Sequence, residues 1–156
     1  TWEPFSKGLT SAAVHDLVIQ TKEKHLLVGT HGRSIYLADI KKIQDLSDEI
    51  LQSSLYIYPL KNVKKSNSWG VQRSIWSQAY TPKLDITLFS SLSTDYNISI
   101  NDSNGNNVYK SEGKLDKGFN FISYNLMDNN EYLDKGLYKV LIITDKDNLE
   151  KEFQIQ

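Results

Sequence analysis

The sequence predicts a mainly β protein: an antiparallel β-meander with short helical turns, followed by a β-sandwich. Three observations predict it. Apolar residues alternate with period two over most of the chain, as half-buried strands require. A stripe of period 3.6 occurs only near 40–52. Clusters of Gly, Asn and Asp punctuate the strands at short intervals, which leaves room for hairpins and none for helical crossovers.

The first strands lie within residues 12–39. Val14, Leu17, Val18 and Ile19 form an apolar run, and Lys22-Glu23-Lys24 turn the chain. His25–Thr30 make a second strand, Gly32 a second turn, and Ser34–Asp39 a third strand with Ile35 and Leu37 opposite Tyr36 and Ala38. Turns this short make a meander. Within it Val14, Val18, Leu26, Val28, Ile35 and Leu37 are expected on one side, and Leu27 and Tyr36 on the other. Ile40, Ile43, Leu46, Ile50 and Leu51 then fall at spacings of three and four, giving two short helical turns. Asp39 can cap the first and Ser47 the second, with Asp48 and Glu49 at the favoured end of the peptide dipoles. Leu55–Tyr58 read as a strand ended by Pro59.

Charge marks the next boundary. Lys61, Lys64, Lys65, Arg73 and Lys83 occur without one acid between them, whereas Asp85 to the end holds seven lysines against twelve acids. Residues 1–60 are therefore assigned to the meander with its helical segment at about 40–52, 61–83 to a basic connector, and 84–156 to the sandwich. The connector carries Trp69 and Trp76. Tryptophans in a polar stretch pin it to a neighbouring surface or stack on a sugar, and pinning is the expectation.

From Leu84 the alternation is steady. Leu84, Ile86 and Leu88 open it, and Tyr96, Ile98 and Ile100 continue it. Asp102-Ser103-Asn104-Gly105 is a hairpin turn with Val108–Lys110 returning, and Gly113 and Gly118 mark a loop. Ile122, Tyr124 and Leu126 alternate, Asp128-Asn129-Asn130 turn, and Leu137–Thr144 is apolar on both faces in its middle and therefore central. Asp145–Asn148 lead into a last strand with Phe153 and Ile155. Ile98, Ile100, Tyr124, Leu126, Val140, Ile142 and Phe153 are the expected core.

Composition excludes some chemistry. With no cysteine there is no disulfide, thiol nucleophile or cysteine-ligated zinc. A net charge of -1 argues against nucleic acid as a partner, and no apolar run approaches a membrane span. Three scattered histidines lack metal-ligand spacing, so no metal or other cofactor is expected. His15 and Asp16 are adjacent on a strand and point to opposite faces. Asp102-Ser103-Asn104-Gly105 and Asp145-Lys146-Asp147-Asn148 offer oxygen ligands but read as turns. Asn97-Ile98-Ser99 and Asn101-Asp102-Ser103 match a glycosylation acceptor by coincidence of an Asn-rich strand. His31 and Arg33 are candidate binding residues: a guanidinium can grip a carboxylate, but the alternative is a tight turn tied by backbone hydrogen bonds.

The first part resembles the terminal blade of bacterial secreted β-propellers of the BNR (Asp-box) type, relatives of sialidase-like and sortilin-like propellers. Gly8-Leu9, Val14-His15-Asp16-Leu17, Leu27-Val28-Gly29-Thr30-His31-Gly32-Arg33-Ser34-Ile35-Tyr36 and Asp39-Ile40 carry the resemblance, and Thr1-Trp2 resembles the tail of an Asp box. In that family an immunoglobulin-like sandwich follows. Here Ile98 to Gly105, Gly118-Phe119-Asn120, Tyr124-Asn125 and Gly136-Leu137-Tyr138 are similar to it, with Tyr124-Asn125 where the family often has a tryptophan-aspartate pair. Flagellar-hook-cap-type sandwiches and type IX secretion sorting domains share the second pattern. The resemblance implies a non-catalytic C-terminal fragment of a larger secreted, periplasmic or cell-surface protein, with a structural or interaction role. Its partners would be the remaining blades of the parent chain, carbohydrate or protein, and a second copy of the isolated fragment as a homodimer. The alternatives are the accessory end of a sialidase-like glycoside hydrolase, a sugar-binding sandwich using Trp69 and Trp76, or a type IX-like sorting domain. Sialidase chemistry needs an arginine cluster, and this chain has only Arg33 and Arg73. The chain itself is expected to hydrolyse no glycoside.

Overall fold

The structure, a computed structural model, describes residues 11–156. Gly8-Leu9 and Thr1-Trp2, which carry part of the resemblance, lie outside the described residues. The protein is mainly β with antiparallel sheets, and it divides into two units, Thr1–Leu51 and Gln52–Gln156.

In the first unit β1 (Val14–Gln20), β2 (His25–Thr30) and β3 (Ile35–Asp39) form one antiparallel sheet in chain order. The expected meander is present, but its faces differ from the simple alternation. A bulge at His15 shifts the β1 register between Val14 and Asp16. Cross-strand pairing then sets Val18 opposite Leu27 and Leu27 opposite Leu37, while Leu17 meets Val28 and Val28 meets Tyr36. Leu27 thus shares a face with Val18 and Leu37, and Val28 lies on the other. The inserted residue puts Val14 and Val18 on opposite faces, and the β2–β3 register, which carries no bulge, sets Leu27 rather than Val28 beside Leu37; neither can be counted along the sequence.

Two short helices follow, α1 (Lys41–Gln44) and α2 (Asp48–Gln52). Ser47 caps the second, its Oγ accepting the Ile50 amide (3.3 Å). The N-cap position of the first is Ile40 and not Asp39, which stands one residue earlier and accepts the Lys41 amide (2.9 Å). Ile40 and Ile50 are buried, whereas Leu51 is exposed. A salt bridge from Lys24 Nζ to Asp45 Oδ1 (2.7 Å) and a hydrogen bond donated by the Ile40 amide to the Lys24 carbonyl (2.9 Å) tie the first turn to the β1–β2 connection.

The second unit is a sandwich. One sheet has the order β4 (Leu55–Ile57), β5 (Lys83–Ser90), β8 (Gly118–Asn125). The other has the order β12 (Asn148–Ile155), β11 (Gly136–Ile143), β6 (Thr94–Asn101), β7 (Asn107–Leu115). A small hairpin, β9 (Met127–Asp128) and β10 (Glu131–Tyr132), fills the link from β8 to β11. Its turn places Asn129 and Asn130 at φ +48° and +66°, the left-handed region that asparagine tolerates best after glycine.

Inward residues of both sheets make one core: Leu84, Ile86 and Leu88 from β5, Ile98 and Ile100 from β6, Val140 and Ile142 from β11, Phe153 and Ile155 from β12. All seven residues named from the sequence as core are buried. The seven strands, three against four, have the arrangement of an immunoglobulin-like sandwich in which the fourth strand joins the sheet of the central pair. A second feature agrees. Tyr138, at the start of β11, donates its hydroxyl to the Asp134 carbonyl (2.9 Å), the tyrosine corner of such folds. Val140, two residues on and fully buried, stands where antibody domains carry a disulfide cysteine.

The strand near 55–58 belongs to this sandwich, through Leu55–Ser90, Tyr56–Phe89 and Ile57–Leu88 pairing. So does the connector. Beyond Pro59 the chain reaches the edge of the other sheet, where Val63 bridges Ile155 in parallel. That pairing covers the β12 edge, which would otherwise offer unpaired backbone groups. At the opposite edge β7 continues through Gly113, where the sequence suggested a loop. A Cβ at Gly113 would lie 2.9 Å from Tyr96 Cε1, so glycine is there to let the cross-strand ring lie over the backbone.

Candidate functional site

Three places hold the residues singled out by sequence or by shape. The first is the β2–β3 turn. Gly32 has φ +69° and Ser34 φ +101°, and Thr30 closes the turn by donating its amide and hydroxyl to the Ser34 carbonyl (3.3 and 2.6 Å). The His31 amide donates to the Ala13 carbonyl (2.9 Å), and the His31 ring stacks on His15 with centroids 4.9 Å apart. His31 and Arg33 are both exposed. The turn thus uses the backbone of His31 structurally and leaves the His31 imidazole against another imidazole, while Arg73, the other arginine, lies in the sandwich unit.

The second is the connector. Trp69 behaves as expected of a pin: it is half-buried, packs against the sandwich core, and meets Tyr132 edge-on at 5.8 Å. Gly70, at φ +75°, sits so close to Tyr132 that a Cβ would be 2.8 Å from the ring. Trp76 does not pin the connector, because it is 91% exposed. The physical reason is local. Residues 70–80 close on themselves at a neck, so the chain beyond Trp69 projects outward.

The third is an open cleft of about 470 Å³ on the sandwich, lined by Tyr109, Ser123, Tyr124, Asn125, Met127, Asn129 and Asn130. From the sequence Asn129 and Asn130 read as a turn and Tyr109 as part of a returning hairpin strand, none of them as a site; pairing of β6 with β7 and the β9–β10 turn bring them together. Tyr109 and Tyr124 lie with ring centroids 4.3 Å apart. Burial, aided by the nearby Asp128 charge, pushes the Tyr124 phenol up to about 12. Its proton is committed to the Met127 carbonyl (2.6 Å). Tyr124 is therefore a neutral, positioned wall at ordinary pH and not an activated nucleophile. The cleft offers amide donors and acceptors beside an aromatic surface, a chemistry of binding.

Among the described residues no three His, Asp or Glu side chains converge as a metal site, and no helix is long and apolar enough to cross a membrane. No family model matches the chain, and no curated protein matches it. Among solved structures it is similar to dimeric latent PorU from Porphyromonas gingivalis, at 9% identity and a TM-score of 0.38 over 84% of this chain. The match spans 12% of that protein's length, and a likeness so distant assigns neither a family nor an activity.

Proposed function

We propose that the chain is a non-catalytic bracing and interaction module of a larger exported protein, in which the meander is a propeller blade and the sandwich its adjoining domain. One observation carries the proposal. On the sheet of the first unit Val18, Leu27 and Leu37 line up across three strands with Ile35 beside them, and Val18, Leu37 and Ile35 are 51%, 62% and 74% exposed. A three-stranded sheet gains its stability from a covered apolar face, and apolar surface left open invites association. Neighbouring blades of a propeller would cover such a face. No family model supports the Asp-box assignment, so it rests on the residues quoted for it.

Light scattering over a concentration series tests this. The isolated chain is expected to self-associate through the meander as a two-fold dimer. Leu37→Lys with Ile35→Lys should return it to a monomer with the sandwich intact. A wild-type chain that stays monomeric throughout would remove the reason for assigning the face to neighbouring blades.

A second reading, a carbohydrate-binding sandwich, is favoured by the cleft of Tyr109, Asn125, Asn129 and Asn130. It requires glycan binding that Asn130→Asp or Tyr109→Ala weakens and Trp76→Ala leaves alone.

A further inference from the structure

Ile75 and Trp76, adjacent in the chain, are 83% and 91% exposed. Both lie in a loop that closes on itself. It is the loop 70–80, whose neck is closed by the Gly70 amide donating to the Tyr80 carbonyl (2.8 Å) and the Tyr80 amide donating to the Val71 carbonyl (3.3 Å). Its root is seated on the sandwich through Trp69 and Gly70 against Tyr132. The tip is held by its own polar groups. The Ser77 amide and hydroxyl donate to the Ser74 carbonyl (3.1 and 3.0 Å), and the Ser74 amide donates to Ser77 Oγ (3.0 Å). A turn satisfied in this way can leave water without stranding those groups.

The tip's surroundings are amphipathic in a particular sense. Tyr80, 56% exposed, stands at the neck and Trp76 at the tip, Arg73 lies in the same loop, and no acid occurs from Lys61 to Lys83. Aromatic residues with polar edges and basic residues are what the water–bilayer boundary selects. We propose that the loop is a peripheral membrane anchor, with Ile75 and Trp76 entering the interfacial layer of a bilayer and Arg73 meeting anionic headgroups. A sugar would stack on Trp76 and leave Ile75 without a role. Two copies meeting tip to tip would bury little, and a tip received elsewhere on a second copy is left to the test. A lipid surface is soft and accommodates a convex tip of any curvature.

The test is co-sedimentation of the full chain with vesicles of phosphatidylcholine, alone or mixed with phosphatidylserine. The wild-type chain should partition onto both and prefer the anionic mixture, with the preference weakened by salt. Ile75→Ser with Trp76→Ser should lower partition by about tenfold or more. Arg73→Gln should lower it about fivefold on anionic vesicles and not on neutral ones. Brominated lipid should quench the emission of the wild-type chain and not that of Trp76→Phe, a readout independent of how much protein sediments. Failure of the wild-type chain to sediment, or equal sedimentation of the double variant, would overturn the proposal. So would a vesicle-free dimer that the double variant abolishes, which assigns the tip to a second copy. Retention on a polysaccharide that requires Trp76 would overturn it as well.

Discussion

Replacing Ile100 by alanine probes the sandwich at its centre. Ile100 is fully buried in β6, paired with Val140 of β11 on one side and Tyr109 of β7 on the other. Alanine removes three carbons, worth about 2.4 kcal/mol at ~0.8 kcal/mol each in transfer alone. The neighbours come from two packed sheets and relax little, so a cavity term adds to this and the expected loss is about 2–5 kcal/mol. Ile75→Ala is the matched control. The same chemistry at an 83% exposed position should change stability by less than about 0.5 kcal/mol. Urea unfolding measures both, followed by near-ultraviolet dichroism of the core tyrosines; a chain of two units requires a probe confined to one of them. A loss at Ile100 no greater than at Ile75 would mean that the inward face has been misassigned along the whole of β6, since its side chains alternate as a set.

The tyrosine corner should also be measurable. Tyr138→Phe deletes the bond to the Asp134 carbonyl and should cost about 0.5–1.5 kcal/mol in the same assay. Gly113→Ala should cost about 1–3 kcal/mol because its Cβ meets the Tyr96 ring, and Tyr96→Ala in the same chain should recover much of that, a coupling read by a double-mutant cycle. On the acid side, the hydrogen bond and charge of Lys65 hold the Asp134 carboxyl below its usual value. A depressed folded value stabilises above the ordinary carboxylate range near pH 4 and is lost as pH falls through it. Lys65→Met should therefore lower the melting temperature slightly at neutral pH, with the deficit vanishing as the pH falls below about 4, so that the acid limb is flatter; an unchanged acid limb would show that the pair contributes nothing.

Much of the sandwich was legible because its strands bury one face. Ile98, Ile100, Val140 and Ile142 alternate with polar residues or sit in an apolar run, and period-two burial leaves one consistent choice. Turns were legible for a local reason: Asp102 accepts amide bonds from Asn104 and Asn106, geometry that its own side chain encodes. Three features were not legible. The bulge at His15 depends on how two strands align, not on either strand. Gly113 read as a loop residue, and only pairing with Tyr96 explains a glycine inside a strand. The connector read as a linker, because Asn62-Val63-Lys64-Lys65 has one apolar residue and its partner lies some ninety residues away. For the candidate sites the sequence named Trp76 and not Ile75, since a tryptophan in a polar stretch stands out and an isoleucine does not. The cleft was invisible for a different reason, as it joins residues of three separate elements.

The bridge between Val63 and Ile155 has a mechanical consequence. Residues 62–65 run parallel to the end of β12, and four bonds join them. Val63 and Lys65 donate to the carbonyls of Gln154 and Gln156 (2.8 Å each), Gln156 donates to Val63 (2.9 Å), and Gln154 donates to Asn62 Oδ1 (3.0 Å). Traction applied ahead of Asn62 and behind Gln156 pulls two parallel segments past one another, so all four bonds bear load together instead of opening in succession. Rupture under force follows the unfolding barrier and not equilibrium stability. Replacing Val63 by proline, which removes one donor at the seam, should lower the force at which the sandwich yields by more than its effect on the melting temperature suggests.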